Sequence, residues 1–433
     1  MQSYTMQKAG LLISFIAAGY ILSAQTKVDN IINVNDVTRI QKTLSSDDML
    51  GRAVHTPGIE KAAEFIAAEF KKAGLQTLED AKDFRQEFVM VSPKFLGLKA
   101  SLNGKELDDK KVVVITTQPS IKATEKDGYL QVRIKEGANL FREASNYMAS
   151  NKNMLVMVDE SFASSFNRLT GFKRQLFKSP NHVIFVLHND EPANWEVEAQ
   201  HNITELPMAN IVGILPGKNK KDEYVIFSAH YDHVGIGKPV NGDSIYNGAN
   251  DDAAGVTAVI MLANYYKSLG NNERTLVFVT FTAEESGGFG SRYFSTQLDP
   301  LKVAAMFNIE MIGTESKWGK NSAFITGYDK SDMGKILEKN LAGTGFTFHP
   351  DPYPDQQLFY RSDNATLARL GVPAHTISTA KMEDEPHYHK PSDEVETLDL
   401  DNMTFIIKSI GLSARTIVSG VDSPTRVNAN DLR

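Results

Sequence analysis

The sequence predicts an α/β protein: a three-layer αβα sandwich on a mostly parallel mixed sheet, plus a smaller inserted β-rich domain. Three observations predict it. From about residue 206, apolar β-rich runs alternate with helical runs, and strands apolar on both faces with helices between them imply a mostly parallel sheet covered on both sides. From 96 to 205, short apolar runs alternate with polar turns over a stretch too long for a loop. The chain has 433 residues, 42% of them hydrophobic and 23% charged, enough for an ordinary core and for more than one average domain.

The elements follow in order. Lys8 precedes an apolar run, Ala9 to Ala24, that ends in small residues before Gln25. A basic start, an apolar stretch and a small-residue end make residues 1–24 a predicted signal peptide. The run is shorter than the roughly 20 residues a membrane span needs, so export to the periplasm or the exterior is expected, with no stable span in the mature chain. Residues 25–95 are read as the first part of the main domain, with a short helix over 36–50. A second helix follows the turn at Thr56-Pro57-Gly58, with Ala62, Ala63, Phe65, Ile66 and Phe70 on one face and Gly74 as its stop. In the insert, 96–205, the strand candidates are KKVVVITT, GYLQVRIK, NMLVMVD and HVIFVLH. The main domain resumes over 206–420 with NIVGIL, EYVIFSAH, TLVFVTFTAEE, VAAMFNIEMIG, SAFITG and PAHTIS as strands and 251–269 as a long helix. Residues 421–433 are polar and read as a flexible tail.

Composition excludes several functions. There is no cysteine, so disulfides, thiolate metal sites and cysteine nucleophiles are absent, and any metal must be held by His, Asp or Glu. With 46 basic against 53 acidic residues the net charge is -7, unlike the basic surface of a general nucleic-acid binder.

Acids and histidines gather where strands end. His230 and Asp232 close EYVIFSAH, Glu284 and Glu285 close TLVFVTFTAEE, and Glu310 closes VAAMFNIE. Open α/β sheets bind ligands beyond the carboxyl ends of their strands. Asp251 and Asp252 open the long helix, and His387 and His389 lie after the last strand. Each motif alone has a plain reading: a loop histidine, a solvated acid pair, a helix cap. Together they do not, because several carboxylates packed at one sheet edge repel and resist ionisation unless a cation joins them. Imidazole and carboxylate without sulfur suit Zn²⁺ better than Ca²⁺. Two histidines and three carboxylates exceed one tetrahedral zinc with an open position, and fit two zincs about 3.5–4 Å apart sharing a carboxylate.

HYDHVG, NGANDDAAGV, TFTAEESGGFGSRYF, FNIEMIG, RSDNATLARLGVPA and YHKPSDE, in that order over about 208–415, resemble the co-catalytic zinc aminopeptidase family. That family includes bacterial leucyl aminopeptidases, glutamate carboxypeptidases, glutaminyl cyclases and the inactive transferrin receptor. GRAVHTPGIEKAAEFIAAEF resembles its N-terminal helix, and the insert resembles its protease-associated domain. The resemblance implies two Zn²⁺ per chain: one on His230 and Glu310, the other on Glu285 and His389, with Asp251 bridging. It implies Glu284 as general base, Asp232 bonded to the second nitrogen of His230, and a cis peptide after Asp251. Tyr388 is the candidate donor to the oxyanion and Tyr360 the second choice. There are three departures. Glu310 stands where many members have Asp. Asn364 stands where many have His. His387 offers a second imidazole beside His389, with Asp393 as a weaker supporting acid. The activity implied is a secreted zinc exopeptidase taking residues from peptide N-termini, with no nucleic-acid partner. The alternatives are a carboxypeptidase or dipeptidase, a glutaminyl cyclase, or a metal-dead binding module.

Overall fold

In the computed structural model, residues 28–79 and 81–432 are described. The chain divides into two units, one running up to Glu87 and resuming at Ala209, the other spanning Phe88–Met208. The signal segment lies outside the described residues. Among those described, no helix is long and apolar enough to cross a membrane.

The first unit holds a seven-strand row. Its strands are β1 (Trp195–Leu215, joining through its last residues), β2 (Lys220–His230), β3 (Arg274–Phe281), β4 (Val303–Ile309), β5 (Ser322–Ile325), β6 (Thr347–Pro350) and β7 (Ala374–Ser378), in the order β6-β5-β7-β4-β2-β3-β1. The central pairs β2–β3, β2–β4 and β4–β7 are parallel, and antiparallel pairs join β1 to β3 and β5 to β7. The sheet is therefore mixed and mostly parallel at its centre, and β2, β3 and β4 end on one edge.

Alternation along these strands builds two cores. Val225, Phe227 and Ala229 of β2 pack to one side with Leu276 and Phe278 of β3 and Phe307 and Ile309 of β4. Ile226, Val277, Val279, Phe281 and Met306 pack to the other. The first side is covered by α1 (Val34–Leu44), α2 (Pro57–Lys72), α3 (Ala254–Leu269), and, later in the chain, α5 (Met333–Asn340) and α7 (Leu400–Ser413). The second side is covered by α4 (Phe289–Thr296) and α6 (Asn364–Ala368). Phe227 lies at the centre of the first core, its ring stacked within 4.9 Å of Phe307, 5.4 Å of Tyr266 and 5.6 Å of Phe278.

Three details differ from expectation. The long helix begins at Ala254, not at Asp251: residues Ala249–Ala253 form a wide turn, Asp251 has non-helical φ -108 and ψ 94, and the Asp251–Asp252 peptide is cis. The first helix stops at Leu44, and a 3₁₀ segment over Asp47–Arg52 carries the chain on through left-handed Leu50 and Gly51. Residues 421–432 are tied down rather than loose. Arg274 donates to the Asp422 carbonyl, Arg426 donates to the Val303 carbonyl, and Val427 is buried.

The second unit contains a four-strand sheet of Val112–Ile115, Val183–Leu187, Met154–Val158 and Leu130–Ile134, with the helix Leu140–Ala149 crossing between the last two. These are the four apolar runs of the insert. The expected boundaries, 95/96 and 205/206, fall inside continuous strands, Arg85–Leu102 and β1. The division between units falls at 87/88 and 208/209. A strand that runs on unbroken leaves no turn signal to mark where one unit ends.

Candidate metal centre

Strand ends supply most of the site. β2 finishes in His230, followed by Asp232 and His233. The turn after β3 carries Glu284 and Glu285, and Glu310 follows β4 directly. Parallel pairing puts these three ends side by side, with His230 opposite Phe281 and Ser228 opposite Asn308. The loop after β7 returns His389 in left-handed backbone, φ +53.

Two groups of donor atoms, each gathered within 4.8 Å, share Asp251: His230, Asp251 and Glu310, and His233, Asp251, Glu285 and His389. The five side chains expected as ligands thus converge on one small region. His230 Nε2 lies 3.1 Å from Asp251 Oδ1. His389 Nε2 lies 3.1 Å from Asp251 Oδ2 and 3.0 Å from Glu285 Oε1. His233 Nε2 and Glu310 Oε2 are buried atoms with no hydrogen-bond partner, although buried polar atoms are normally paired. Unpaired buried atoms, and imidazole and carboxylate with no sulfur, fit a zinc-like cation.

The electrostatics point the same way. Burial pushes Glu310 up to about 7, with Asp251's charge adding to it. Burial also drives Glu284 well above its ordinary value, with Glu310, Asp363 and Glu285 adding repulsion that His230 only partly offsets. Burial works against the charge of Asp251, but His233, His230 and His389 overcome it and hold it well below the usual range. His389 is pushed up to about 10 by the carboxylates of Asp251 and Glu285.

Asp252 is the helix-capping half of the acid pair. Its carboxylate accepts the N–H groups of Gly255 at 3.0 Å, Met311 at 3.1 Å and His230 at 3.3 Å. Asp251 turns the other way, toward the histidines.

Asp232 does not do what the resemblance implies. His230 Nδ1 meets the backbone carbonyl of Asp232 at 3.0 Å, and the carboxylate stands 3.9 Å off. The carboxylate instead accepts the backbone N–H of Glu284 at 3.0 Å and of Glu285 at 3.3 Å. A tight turn reverses the chain after β3, and its exposed amides offer better partners than an imidazole already bonded to a carbonyl.

Tyr388 stacks on His389 with ring centroids 4.0 Å apart. Burial and then the charges of Asp251, Glu285 and Glu310 hold its hydroxyl in the protonated, donating form. It lines a pocket with Glu310, Met311, Phe324, Leu358 and Met382. Tyr360 lies elsewhere, on a groove that reaches Glu284. His387 is outside the cluster, bonded to Ser392.

Several contributors were not singled out from the sequence. His233 Nδ1 bonds Glu285 Oε1 at 2.8 Å. It sits three residues after His230, a spacing that marks no function within a loop. Asp393, weighed only as a weak candidate, accepts the N–H of Asn250 at 2.8 Å and of Asp251 at 3.0 Å, and so clamps the bridging turn. Arg52 is fully buried and donates to the carbonyls of Tyr231, Leu44, Asn247 and Gly248 at 2.6–3.0 Å. It ties the 3₁₀ segment to the loops that carry His230 and Asp251. Burial lowers its pKa, partly offset by Asp393, Asp251, Asp232 and Asp252.

A family model described as peptidase family M28 matches residues 210–411, the stretch that carries this cluster from β2 through His389. That stretch is similar to peptidase family M28. A probable leucine aminopeptidase of Trichophyton verrucosum (strain HKI 0517) is 29% identical over 207 residues, which is 45% of this chain and 53% of that protein. Leucine aminopeptidase 1 of Blastomyces gilchristii (strain SLH14081) is 24% identical over 275 residues, 56% of this chain and 67% of that one. The chain spans about half the length of the first of these relatives. Among solved structures, an aminopeptidase from Aneurinibacillus sp. strain AM-1 matches with TM-score 0.54 and 16% identity, covering 94% of this chain and 98% of that one. BSAP, a zinc aminopeptidase from Bacillus subtilis, matches with TM-score 0.54 and 16% identity over 93% and 97%. At such identity the likeness is one of fold. The matched residues 210–411 lie in the first unit, the mixed sheet with helices on both faces.

Proposed function

We propose that this protein is a zinc-dependent exopeptidase that removes residues from the N-termini of peptides. The observation that carries the proposal is the pair of donor groups meeting at Asp251, with Glu284 beside them. His230 and Glu310 would hold one Zn²⁺, and Glu285 and His389 the other, with Asp251 common to both. The relatives' printed names supply the amino-terminal direction.

When bound, the zincs would acidify water and polarise a substrate carbonyl. The chain's own groups do the rest. Glu284, its carboxyl already raised by burial, takes the proton of the attacking water and returns it to the leaving nitrogen. Asp232 fixes the turn that carries Glu284 and Glu285 by accepting both backbone N–H groups. His233 holds Glu285 through its Nδ1. The Tyr388 hydroxyl, kept protonated, donates to the carbonyl oxygen as it gains charge. The pocket beside Glu310, lined by Met311, Phe324, Leu358 and Met382 together with Thr326, Arg361 and Ser362, receives the residue that is removed. We also propose that residues 1–24 export the chain, so that N-terminal sequencing of secreted protein would begin near Gln25.

The test compares aminoacyl and carboxyl-terminal reporter peptides, with zinc and with chelator. The reading expects zinc-dependent release from the aminoacyl reporter, lost by about 10²-fold or more in Glu284→Gln while zinc still binds. Release from the carboxyl-terminal reporter alone, or normal turnover in Glu284→Gln, would overturn it.

A further inference from the structure

Three side chains of the second unit gather around one amine. Phe95 comes from the strand Arg85–Leu102, Lys173 closes the 3₁₀ segment Phe166–Lys173, and His201 lies on β1. Lys173 Nζ stands 3.4 Å from His201 Nε2 and 5.5 Å from the centre of the Phe95 ring. The Phe95 and His201 rings meet edge to face at 6.0 Å. His201 is buried and Phe95 is 44% exposed, so the cradle is sealed at its imidazole and reaches solvent at its phenyl ring.

The cradle has no counter-ion. A half-buried lysine ordinarily pairs with a carboxylate or sends its head into water. Among the described residues, no carboxylate lies close enough to act on the charge of Lys173, and burial brings its pKa down to about 8. The titratable group that faces it is His201, which burial and then the charge of Lys173 hold down to about 4. The imidazole is therefore neutral. Its Nδ1 is buried with no hydrogen-bond partner, which leaves the amine as the partner of the ring through Nε2.

An amine stripped of water against an aromatic ring, with no counter-charge and a neutral base beside it, is arranged as a nucleophile. A carbonyl carbon is the electrophile that suits it. The Nζ lone pair attacks the carbon, and the proton that the nitrogen then sheds passes to His201 Nε2 and on to the oxygen. The carbinolamine so formed loses water. One C=N bond replaces one C=O bond, and the carbonyl oxygen leaves with both amine hydrogens. No oxidant or reductant is needed. The exposed face of Phe95 offers an apolar wall for the hydrocarbon part of the electrophile.

We propose that Lys173 is a covalent modification site that takes small aldehydes as imines, with Phe95 as its apolar wall and His201 as its proton acceptor. The proposal stands apart from the exopeptidase reading.

The experiment treats the full-length protein with acetaldehyde and cyanoborohydride, which fixes each imine as an ethyl group, and follows every lysine by peptide mass spectrometry. At pH 7.4 an amine of pKa near 8 is about one-fifth neutral, and an ordinary lysine about one-thousandth. A weaker base is a weaker nucleophile, which takes back part of that advantage. Lys173 should therefore be ethylated about tenfold faster than the median lysine, at a rate that levels off above about pH 8 while the others keep rising toward pH 10. Phe95→Glu supplies the missing carboxylate from an exposed position and should bring Lys173 down to the rate of the other lysines. His201→Leu keeps the cradle apolar but removes the acceptor, and should slow Lys173 about tenfold or more. Ethylation of Lys173 no faster than the median lysine, or an undiminished rate in either variant, would overturn the proposal. If His201→Leu does not fold, the unsubstituted protein and Phe95→Glu still decide it.

Discussion

Arg52→Met is the most informative single substitution in the scaffold of the site. Methionine keeps an unbranched stem but removes every donor. Four carbonyls lose a partner, those of Tyr231, Leu44, Asn247 and Gly248, and only the Gly248 carbonyl has a second bond, from Ala253 N at 3.2 Å. Three buried carbonyls at roughly 1–3 kcal/mol each give about 3–9 kcal/mol. Removing the desolvated guanidinium offsets part of this, so the lower end, about 3 kcal/mol, is expected. The Tyr231 carbonyl follows His230, those of Asn247 and Gly248 lie in the turn before Asp251, and that of Leu44 ends α1, so the same change loosens the loops that carry His230 and Asp251. Zinc affinity should fall about 10- to 100-fold, the usual effect of removing a group that orients ligands. The assay is urea unfolding of chelated protein, read as a shift in midpoint at constant slope, together with zinc competition against a chromogenic chelator. Arg52→Lys, which keeps the charge but reaches fewer carbonyls, should fall between. A change below 1 kcal/mol with unchanged zinc affinity would refute the assignment of Arg52 as the brace between these loops.

Gly255→Ala places a Cβ 2.1 Å from the Ile309 carbonyl and 2.5 and 2.6 Å from the Asp252 carboxylate oxygens. It should displace the acid that caps α3, cost about 2–3 kcal/mol in urea unfolding, and lower zinc occupancy; native stability and occupancy would count against the packing described. His375 is buried between the Thr326 carbonyl and the Ser331 hydroxyl, and burial lowers its pKa to about 4, with the Thr326 bond opposing. Its folded pKa lies below the unfolded 6.5, so its neutral form costs nothing above pH 6.5, and stability is lost as pH falls from 6.5 to 4, by on the order of 3 kcal/mol. In His375→Gln the stability-versus-pH curve should be flatter across that window; an unchanged slope would show that His375 takes up its proton while folded. Asp393→Asn should lower zinc affinity without touching a donor atom, because Asn250 N–H and Asp251 N–H bond different carboxylate oxygens and asparagine offers one oxygen and turns its NH2 to the other; equal affinity by chelator competition would remove it as a clamp.

Much of the sheet was legible because a strand buried on both faces is a continuous apolar run, and its acidic or imidazole terminus stands out against it. His230, Glu284, Glu285 and Glu310 were all visible in this way. Asp251 and Asp252 were visible as a pair, but their division of labour was not. Helix capping by Asp252 and the turn of Asp251 toward the histidines depend on φ and ψ at two residues, which no spacing encodes. His233 acts through one hydrogen bond to a group 52 residues away and Asp393 through two, to groups 143 and 142 residues away, contacts that only the closed fold creates. Arg52 lay in a recognised stretch, GRAVHTPG, whose sequence signals a turn and a helix start; its reach to Asn247 and Gly248 left no local trace. Asp232 was seen at the site with a different partner, because backbone amides of a turn are invisible to a reading of side-chain types. The units' boundaries were displaced because the chain passes between them in unbroken strands.

Anomalous diffraction at the zinc edge from crystals of the zinc-loaded full-length protein tests the central claim most directly. Two peaks about 3.5–4 Å apart are expected, one touching His230, Asp251 and Glu310, the other touching Asp251, Glu285 and His389. A single peak, or peaks that leave Asp251 uncoordinated, would contradict the shared-carboxylate pair.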